Sequence, residues 1–547
     1  MKAHRPIVFV VLCSALYTPV LAQHFEHRVN ALISGSSIVF PVSEIPYLSV
    51  RMRALGAGFA GLVQDTLTDL FVHPAALFQI SGDRVVVDYA PRPEPEILPF
   101  QRITGTGSDE SGGELVAPAA AGGTLTRGPV LSLGYWSSRL FGKGLSAGVF
   151  FRGITDKQSS SLSDNLAFSN SGGQNNREST SQKLAVSDEF SAQLWLGVLN
   201  RSNVQVAFSY RFYYLQRKSQ NEFQLRETFS SSGSGLDREV KNFSSSGSGQ
   251  PWRGHELALG ARISAGKWDI LPQLRWKYYR SRFWINNEVS MFERNVYSNP
   301  PNPFTNTSQF DHRTLGPGVY RLYAWEGGVE GWRGLTRLHL FARIARFKSR
   351  EMQDDALQDV RKQTGSGSFN FRMEETSQQS ANGSNTLVAF RGGVGQVIPV
   401  HRRARILAGL QLSYVRTKIS APLAFEDHQV TVRDSVTDQL DVMDEIPALD
   451  RTRETALNLP VALEGEVGPI QARLGVVWHW RDTDQHSRRL GDLPSRREIE
   501  NRSSTRAIDR EAMAGLGFRW KRFRLDAFLG SDLIQLDRWQ VALSANL

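Results

Sequence analysis

The feature that most constrains the fold is an alternation of apolar and polar residues, which recurs in many separate segments of the chain. One segment carries apolar side chains at every second position: Val204, Val206, Phe208, Tyr210, Phe212 and Tyr214. Successive side chains of a β-strand point to opposite faces, so this period of two predicts a strand with one apolar face. The pattern returns at residues 257–263, 337–344, 457–464 and 470–481. Each segment has about 10 to 14 residues, enough to cross a bilayer at a tilt.

The connections between these segments fall into two classes that alternate along the chain. The short turns lie at 139–143, 200–203, 266–267, 401–403 and 521–522. The long stretches are rich in Ser, Asn, Gly and charged residues and cover 91–126, 154–183, 218–251, 286–318, 350–384, 419–454 and 484–510. Transmembrane barrels have short turns at the periplasmic end and longer loops at the external end. The chain is therefore predicted to be all-β, a transmembrane antiparallel β-barrel.

The pattern predicts sixteen strands, with fourteen as the alternative because the first strand and the last pair carry the weakest signals. The predicted strands lie near 83–90, 127–138, 143–153, 184–198, 204–217, 252–265, 268–284, 319–332, 336–348, 385–398, 404–418, 455–467, 470–482, 511–520, 523–530 and 537–547. An even number places both ends of the barrel on the periplasmic side. The barrel has to close, since an open sheet edge in hydrocarbon would leave backbone donors and acceptors unpaired.

The first 22 residues have the pattern of a secretory signal peptide. Lys2 and Arg5 supply the positive start, residues 7–16 the short apolar core, and residues 20–22 a cleavage site. An uncleaved anchor is the alternative, although the apolar run is too short to span a bilayer. Together with the barrel pattern, this export signal predicts the outer membrane of a Gram-negative-type bacterium, with membrane lipid as a partner.

Charge and cysteine content argue against a nucleic-acid-binding protein and against a protein stabilised by disulfides. The net charge is +10 at pH 7, and basic residues are spread along the chain without a cluster, so no nucleic-acid partner is expected. The single cysteine, Cys13, lies in the predicted signal peptide. The mature chain would therefore form no disulfides, and a large core or closed backbone hydrogen bonding must stabilise it.

One segment breaks the strand pattern. Residues 55–77, LGAGFAGLVQDTLTDLFVHPAAL, contain small residues, then two aspartates, then apolar residues at helical spacing. The residue before a proline is biased out of the helical region, so His73 marks a helix end. A barrel of fourteen to sixteen strands has a lumen too wide for its own side chains to fill. This helical segment would fill the lumen; a periplasmic helix outside the pore is the alternative.

The same stretch resembles the N-terminal region of the FadL family of outer-membrane transport proteins and its PorV-type relatives. The matching residues are Gly56, Gly58, Ala60, Asp65, Pro74, Ala75 and Leu77. His73 stands where the family usually has Asn, and Ala76 where it usually has Gly. The resemblance implies that residues 23–82 form a hatch folded inside a barrel of residues 83–547. It also implies a fourteen-stranded barrel that moves hydrophobic molecules across the outer membrane.

The polar faces of the predicted strands supply candidate lumen side chains. The candidates for the substrate path are Arg211, Arg262, Arg337, Arg343, Arg473, His479 and Arg481. Arginine offers bidentate contacts to carboxylates, so such a lining would favour anions or the carboxylate of a fatty acid. A charge network that makes the lumen and hatch rigid is the alternative role. Asp65 and His73 are expected to contact this lining.

The sequence indicates no catalytic site, metal or cofactor. Residues 144–148, GLSAG, match a nucleophile elbow, but that motif needs a strand-to-helix turn and the alternation continues through it as a strand. We therefore predict a channel, not an enzyme, which passes small hydrophobic or amphipathic, fatty-acid-like molecules by diffusion through a plugged barrel. The alternatives are a PorV-like barrel that holds a secretion or surface protein partner, and a general polar porin.

Overall fold

The computed structural model describes residues 28–30, 37–39, 47–90, 119–127, 130–140, 145–170, 173–231, 235–298, 304–365, 368–420, 423–433, 436–446, 448–490, 498–529 and 540–546. Most of these residues belong to one closed antiparallel β-barrel. Two short strands, Arg28–Asn30 and Ser37–Val39, pair with each other ahead of it. The predicted signal peptide, 1–22, lies outside the described residues. Within the part described, no helix combines the length and apolar character needed to span a membrane.

The described residues form sixteen barrel strands, numbered here in chain order. They are β1 (Asp83–Ala90), β2 (Ala119–Arg127 and Val130–Leu140), β3 (Leu145–Asn170), β4 (Gly173–Asn200), β5 (Val204–Ser231), β6 (Leu236–Ala265), β7 (Trp268–Tyr297), β8 (Phe304–Arg333), β9 (Thr336–Gly365), β10 (Phe369–His401), β11 (Ala404–Ser420 and Leu423–Arg433), β12 (Val436–Ile446 and Ala448–Val467), β13 (Ile470–Leu490), β14 (Glu498–Trp520), β15 (Phe523–Leu529) and β16 (Gln540–Asn546). The two parts of β2, and likewise of β11, pair with consecutive stretches of one neighbour and count as one strand. The two parts of β12 pair in the same way with the two parts of β11.

The prediction of sixteen strands is confirmed, and the fourteen-stranded alternative is wrong. The barrel closes where β16 pairs with β1, for example with Leu543 opposite Val87. The first strand, which carried a weak signal, has the predicted bounds of Asp83–Ala90. Closure gives both outermost strands a partner, so neither leaves an unpaired edge in hydrocarbon.

Among the described residues the prediction of long external loops is wrong, because most of these residues are strand. Residues 91–118, in the first of the predicted loops, lie outside the described residues. β6 and β7 are 30 residues each and pair through residues 236–249 and 284–297. At about 3.4 Å per residue each strand measures roughly 100 Å, whereas about 10 residues suffice to cross a membrane. The extensions were missed because both of their faces are polar. Polar residues on both faces leave no alternation of apolar and polar residues in the sequence, although the strands still pair through their backbones.

The outer face of the barrel carries an apolar belt. On β9, Leu338, Leu340 and Ile344 are 43%, 64% and 60% exposed, while the intervening His339 is 1% exposed. Soluble monomers rarely expose contiguous apolar surface, whereas a transmembrane barrel presents such a band to lipid. The chain is therefore an outer-membrane β-barrel in contact with membrane lipid, which confirms the predicted location.

Tight turns join the strands at one end of the barrel, as predicted. Gly266, Gly334 and Gly468, with φ of 61°, 59° and 61°, lie in the turns after β6, β8 and β12. A positive φ is readily adopted by glycine, which has no Cβ. We name this the short-turn end; in an outer-membrane barrel it faces the periplasm.

Residues 47–80, named here the inner segment, lie against inward-facing side chains of the barrel. They contain α1 (Val50–Leu55), a 3₁₀ turn (Ala57–Phe59), α2 (Thr66–Val72) and a second 3₁₀ turn (Pro74–Gln79). α1 ends at Gly56, whose φ is 113°. α2 begins after Asp65 and ends at His73, the helix end indicated by the proline that follows.

Candidate functional site

The inner segment packs against two opposite sides of the barrel wall. On one side the contacts join Tyr47, Leu67, Leu70, Phe71, Leu77 and Ile80 to Val86, Trp136, Phe150 and Trp195 of β1–β4. On the other side they join Met52, Leu55, Phe59, Ala60 and Val63 to Leu407 and Ala462 of β11 and β12. Trp195 also donates a hydrogen bond from Nε1 to the carbonyl oxygen of Leu70 at 3.1 Å. Apolar burial on both sides therefore stabilises the segment within the lumen.

Glycines let the segment and the wall approach closely. A Cβ at Gly475 of β13 would lie 2.1 Å from the carbonyl oxygen of Leu55. Gly56 and Gly58, the glycines singled out in the sequence, both face Val477 of the same strand. A Cβ would lie 2.7 Å from that side chain at Gly56 and 3.2 Å at Gly58. Small residues on both surfaces are thus needed for this contact.

Arg51 links α1 to both the wall and the start of α2. Its Nε and Nη2 donate to the carboxylate of Glu464 on β12 at 3.0 and 2.9 Å. Its Nη1 lies 3.4 Å from Asp65 Oδ2, while Asp65 Oδ1 accepts from the backbone N–H of Thr68 at 2.9 Å. Burial opposes the charge of Asp65, but Arg51 and the Thr68 amide outweigh it and lower the pKa of the carboxyl group.

A second buried ion pair joins α2 to β9. Arg337 donates from Nη1 and Nη2 to the two carboxylate oxygens of Asp69, both at 3.0 Å. The guanidinium also lies over the ring of Trp332, 4.0 Å from its centroid. Such bidentate geometry fixes the orientation of both groups. Arg337 is thus a predicted lumen residue that the structure places in direct contact with the inner segment.

His73 forms a polar contact with β7 of the wall. The side chain is fully buried, and its Nδ1 accepts a hydrogen bond from the backbone N–H of Ala75 at 3.2 Å. The proton therefore lies on Nε2, which donates to the carbonyl oxygen of Pro272 on β7 at 3.1 Å. Burial lowers the pKa of His73 to about 4, so the imidazole is neutral at pH 7. Pro74 and Ala75 are buried beside it.

The end of α2 is also bonded to β7. Nη2 of Arg275 donates to the carbonyl oxygens of Phe71 and Val72 at 2.9 and 3.0 Å. These carbonyls lie in the last turn of the helix and have no intrahelical donor. A cation from the wall therefore satisfies them.

The other predicted lumen residues form ion pairs or hydrogen bonds within the wall. These contacts are Arg211 to Glu256 at 3.3 Å, Arg262 to Asp269 at 2.6 Å, Arg343 to Glu326 at 2.6 Å, Arg473 to Glu464 at 3.0 Å and to Asp526 at 2.7 Å, His479 to Asn458 at 2.9 Å, and Arg481 to Glu454 at 3.6 Å. Arg473 shares Glu464 with Arg51 and so reaches the inner segment indirectly. Arg262 lies beside the turn after β6, away from the other candidates along the strand.

Arg51, Arg275, Lys277 and Glu326 belong to this site but were not predicted. Arg275 and Lys277 alternate with apolar residues along β7, and this was the signal that could have identified them. Arg275 and Lys277 lie among four further charged side chains of the wall. We name these six residues the inner charged layer: Arg211, Glu256, Arg275, Lys277, Glu326 and Arg343. Lys277 is 1% exposed, and its Nζ lies 3.8 Å from Glu326. The layer holds four basic and two acidic side chains.

An apolar patch lies next to the inner charged layer, farther from the short-turn end. We name it the wall aromatic cluster: Tyr213, Leu215, Trp252, Tyr279, Tyr320, Leu322 and Phe347. Tyr320 stacks on Trp252 at 5.9 Å and on Phe347 at 5.5 Å between ring centroids. Tyr279 follows Lys277 on the inward face of β7 and donates its hydroxyl hydrogen to Glu256. Apolar and cationic surfaces are thus adjacent on β5–β9.

Comparison with known proteins finds only distant similarity to solved structures. No protein-family model and no curated protein sequence matches the chain. The siderophore receptor PiuA from Acinetobacter baumannii is 9% identical, with 85% of this chain and 82% of that chain covered and a TM-score of 0.27. The receptor for ferric yersiniabactin uptake FyuA from Yersinia pestis is 8% identical, with coverages of 85% and 79% and a TM-score of 0.20. The translocator domain of the autotransporter NalP from Neisseria meningitidis is 13% identical, with coverages of 68% and 88% and a TM-score of 0.12. At these TM-scores the likenesses carry no argument.

Proposed function

We propose that the chain is an outer-membrane channel in which the inner segment acts as a hatch. The observation that carries this proposal is the set of polar contacts across the lumen, since Arg51, Asp69 and His73 each bond a different part of the wall. These three contacts can be broken and remade without changing a barrel strand. A segment that served only to fill space would need apolar packing alone.

We propose small hydrophobic or amphipathic molecules, such as fatty acids, as the substrate class. The wall aromatic cluster would receive an apolar chain, and the adjacent inner charged layer, with its surplus of basic groups, would receive a carboxylate. Entry would be by diffusion after the inner segment moves. The resemblance to the FadL family supports the same class, although this barrel has sixteen strands rather than fourteen.

Gating is tested by breaking the buried pair between Asp69 and Arg337. Asp69→Asn leaves Arg337 buried without its counter-charge, which costs about 3–5 kcal/mol and favours release of the segment. We expect ion conductance in planar bilayers to rise several-fold. The matched control is Asp269→Asn, which breaks the pair with Arg262 beside a turn and does not touch the inner segment. Equal conductance of Asp69→Asn and wild type would contradict the hatch.

Substrate class is tested with the purified protein in liposomes. We expect uptake of a labelled long-chain fatty acid, faster in Asp69→Asn, and little uptake of a labelled sugar. Sugar uptake by the wild type would instead support a general porin. A folded barrel that takes up neither compound, in either variant, would support the PorV-like alternative, which holds a secretion or surface protein partner.

A further inference from the structure

A cavity of about 300 Å³ lies between the inner segment and the wall at the short-turn end. From the segment it is lined by residues around Arg51 and Asp65. From the wall it is lined by the ends of β1 and β13–β16, which carry Arg84, Arg519 and Arg524 among others. Because these strand ends adjoin the tight turns, the cavity faces the periplasm. It is therefore separate from the wall aromatic cluster.

The lining of this cavity is strongly basic. Six guanidinium groups line it, those of Arg51, Arg84, Arg337, Arg405, Arg519 and Arg524, against three carboxylates, those of Asp65, Glu464 and Asp526. Asp69 neutralises Arg337 from outside the lining. Arg473, also outside the lining, pairs with Glu464 and Asp526. The lining therefore carries an excess of positive charge.

Two of the lining arginines, Arg84 and Arg519, have no carboxylate partner within the described part of the chain. Within the described part of the chain, neither forms an ion pair, and the Nε of Arg84 is buried without a hydrogen-bond acceptor. Arg519 is also directly opposite Arg524 across the β14–β15 pair. Like charges directly opposite on a sheet are destabilising, and a buried donor without an acceptor costs free energy. A bound anion would remove both penalties.

We propose that this cavity binds a small divalent oxyanion, such as inorganic phosphate, between Arg84 and Arg519. Guanidinium groups donate paired hydrogen bonds to oxyanions, and a charge of minus two balances the two guanidinium groups that have no carboxylate partner. The ligand would bridge the wall to the inner segment beside Arg51. The site depends on the cavity and its charges and not on any transported substrate.

The test is isothermal titration of the full-length protein in neutral detergent with sodium phosphate, against sodium chloride of equal ionic strength. We expect saturable binding of one phosphate per chain. Loss of a charge-assisted hydrogen-bonding group commonly costs a factor of ten or more, so we expect Arg84→Gln and Arg519→Gln each to weaken the affinity at least about tenfold. Acetate, with one charge, should bind at least about tenfold more weakly than phosphate.

The matched control is Arg262→Gln, which removes an arginine at the same end of the barrel but outside the cavity. Its phosphate affinity should equal that of the wild type. Arg519 is exposed, so Arg519→Gln should fold even where a buried substitution fails. Absence of saturable phosphate binding, or an equal loss in Arg262→Gln, would overturn the proposal. Neither outcome depends on whether the barrel transports a fatty acid.

Discussion

At the scale of single residues, we expect the packing of the inner segment against the wall to depend on pH through His73. Burial, aided by the charge of Arg275, lowers the pKa of His73 from 6.5 to about 4. If the segment left the wall, the exposed His73 side chain would titrate with its ordinary pKa of 6.5. His73 therefore contributes fully to the free energy that holds the segment in the lumen above pH 6.5. This contribution declines by about 3 kcal/mol as the pH falls from 6.5 to about 4. Protonation also removes the Nδ1 acceptor that Ala75 uses.

This pH dependence can be measured with a cysteine reporter. Ala60 is 3% exposed in the seated segment, so the variant Ala60→Cys should react slowly with a thiol reagent. At each pH, the labelling rate of the protein is divided by the rate at which the same reagent labels a free thiol. We expect accessibility to rise between pH 6.5 and about 4. In the background His73→Asn, which has no titratable group at this position, the rise in that window should disappear; its persistence would assign it to another residue.

At the scale of elements, α1 depends on the absence of a side chain on β13. A Cβ at Gly475 would lie 2.1 Å from the carbonyl oxygen of Leu55. Gly475→Ala should therefore displace α1, because overpacking costs about 1–3 kcal/mol. We expect the labelling rate of Ala60→Cys to rise about tenfold. The control is Gly465→Ala on β12, where the added Cβ would be 3.9 Å from its nearest neighbour; an equal rise there would refute the steric explanation.

The sequence was sufficient to predict the barrel strands within the membrane, because lipid on one side and a polar lumen on the other impose a period of two. β9 shows this directly, since Leu338 and Leu340 face outward while Arg337 and His339 face inward. The end of α2 at His73 was also predictable, because proline restricts the residue before it. Both predictions depend on local rules that a short window of sequence contains.

The polar contacts of the inner segment could not be predicted in this way. Arg51 and Glu464 are 413 residues apart, and their contact depends on how the segment lies in the closed barrel. Arg337 was predicted to face the lumen, but Asp69 was not predicted as its partner. A polar face identifies which side chains face inward. It does not say which of them meets the segment, since sixteen strands offer many similar groups.

At the scale of the whole molecule, the barrel should continue as paired sheet well beyond the membrane. Residues 219–231 of β5 pair with residues 236–248 of β6, although both stretches are polar and rich in serine. Their amide hydrogens are bonded between strands, so their exchange with solvent requires local opening. We expect peptides from both stretches to exchange at least about 100-fold more slowly than an unstructured chain. The measurement is hydrogen–deuterium exchange of the protein in detergent, with the tight turn at 266–267 as the fast-exchanging reference. Exchange of 219–231 and 236–248 at the rate of that turn would restore the loop interpretation and would place the external end of the barrel near the membrane surface.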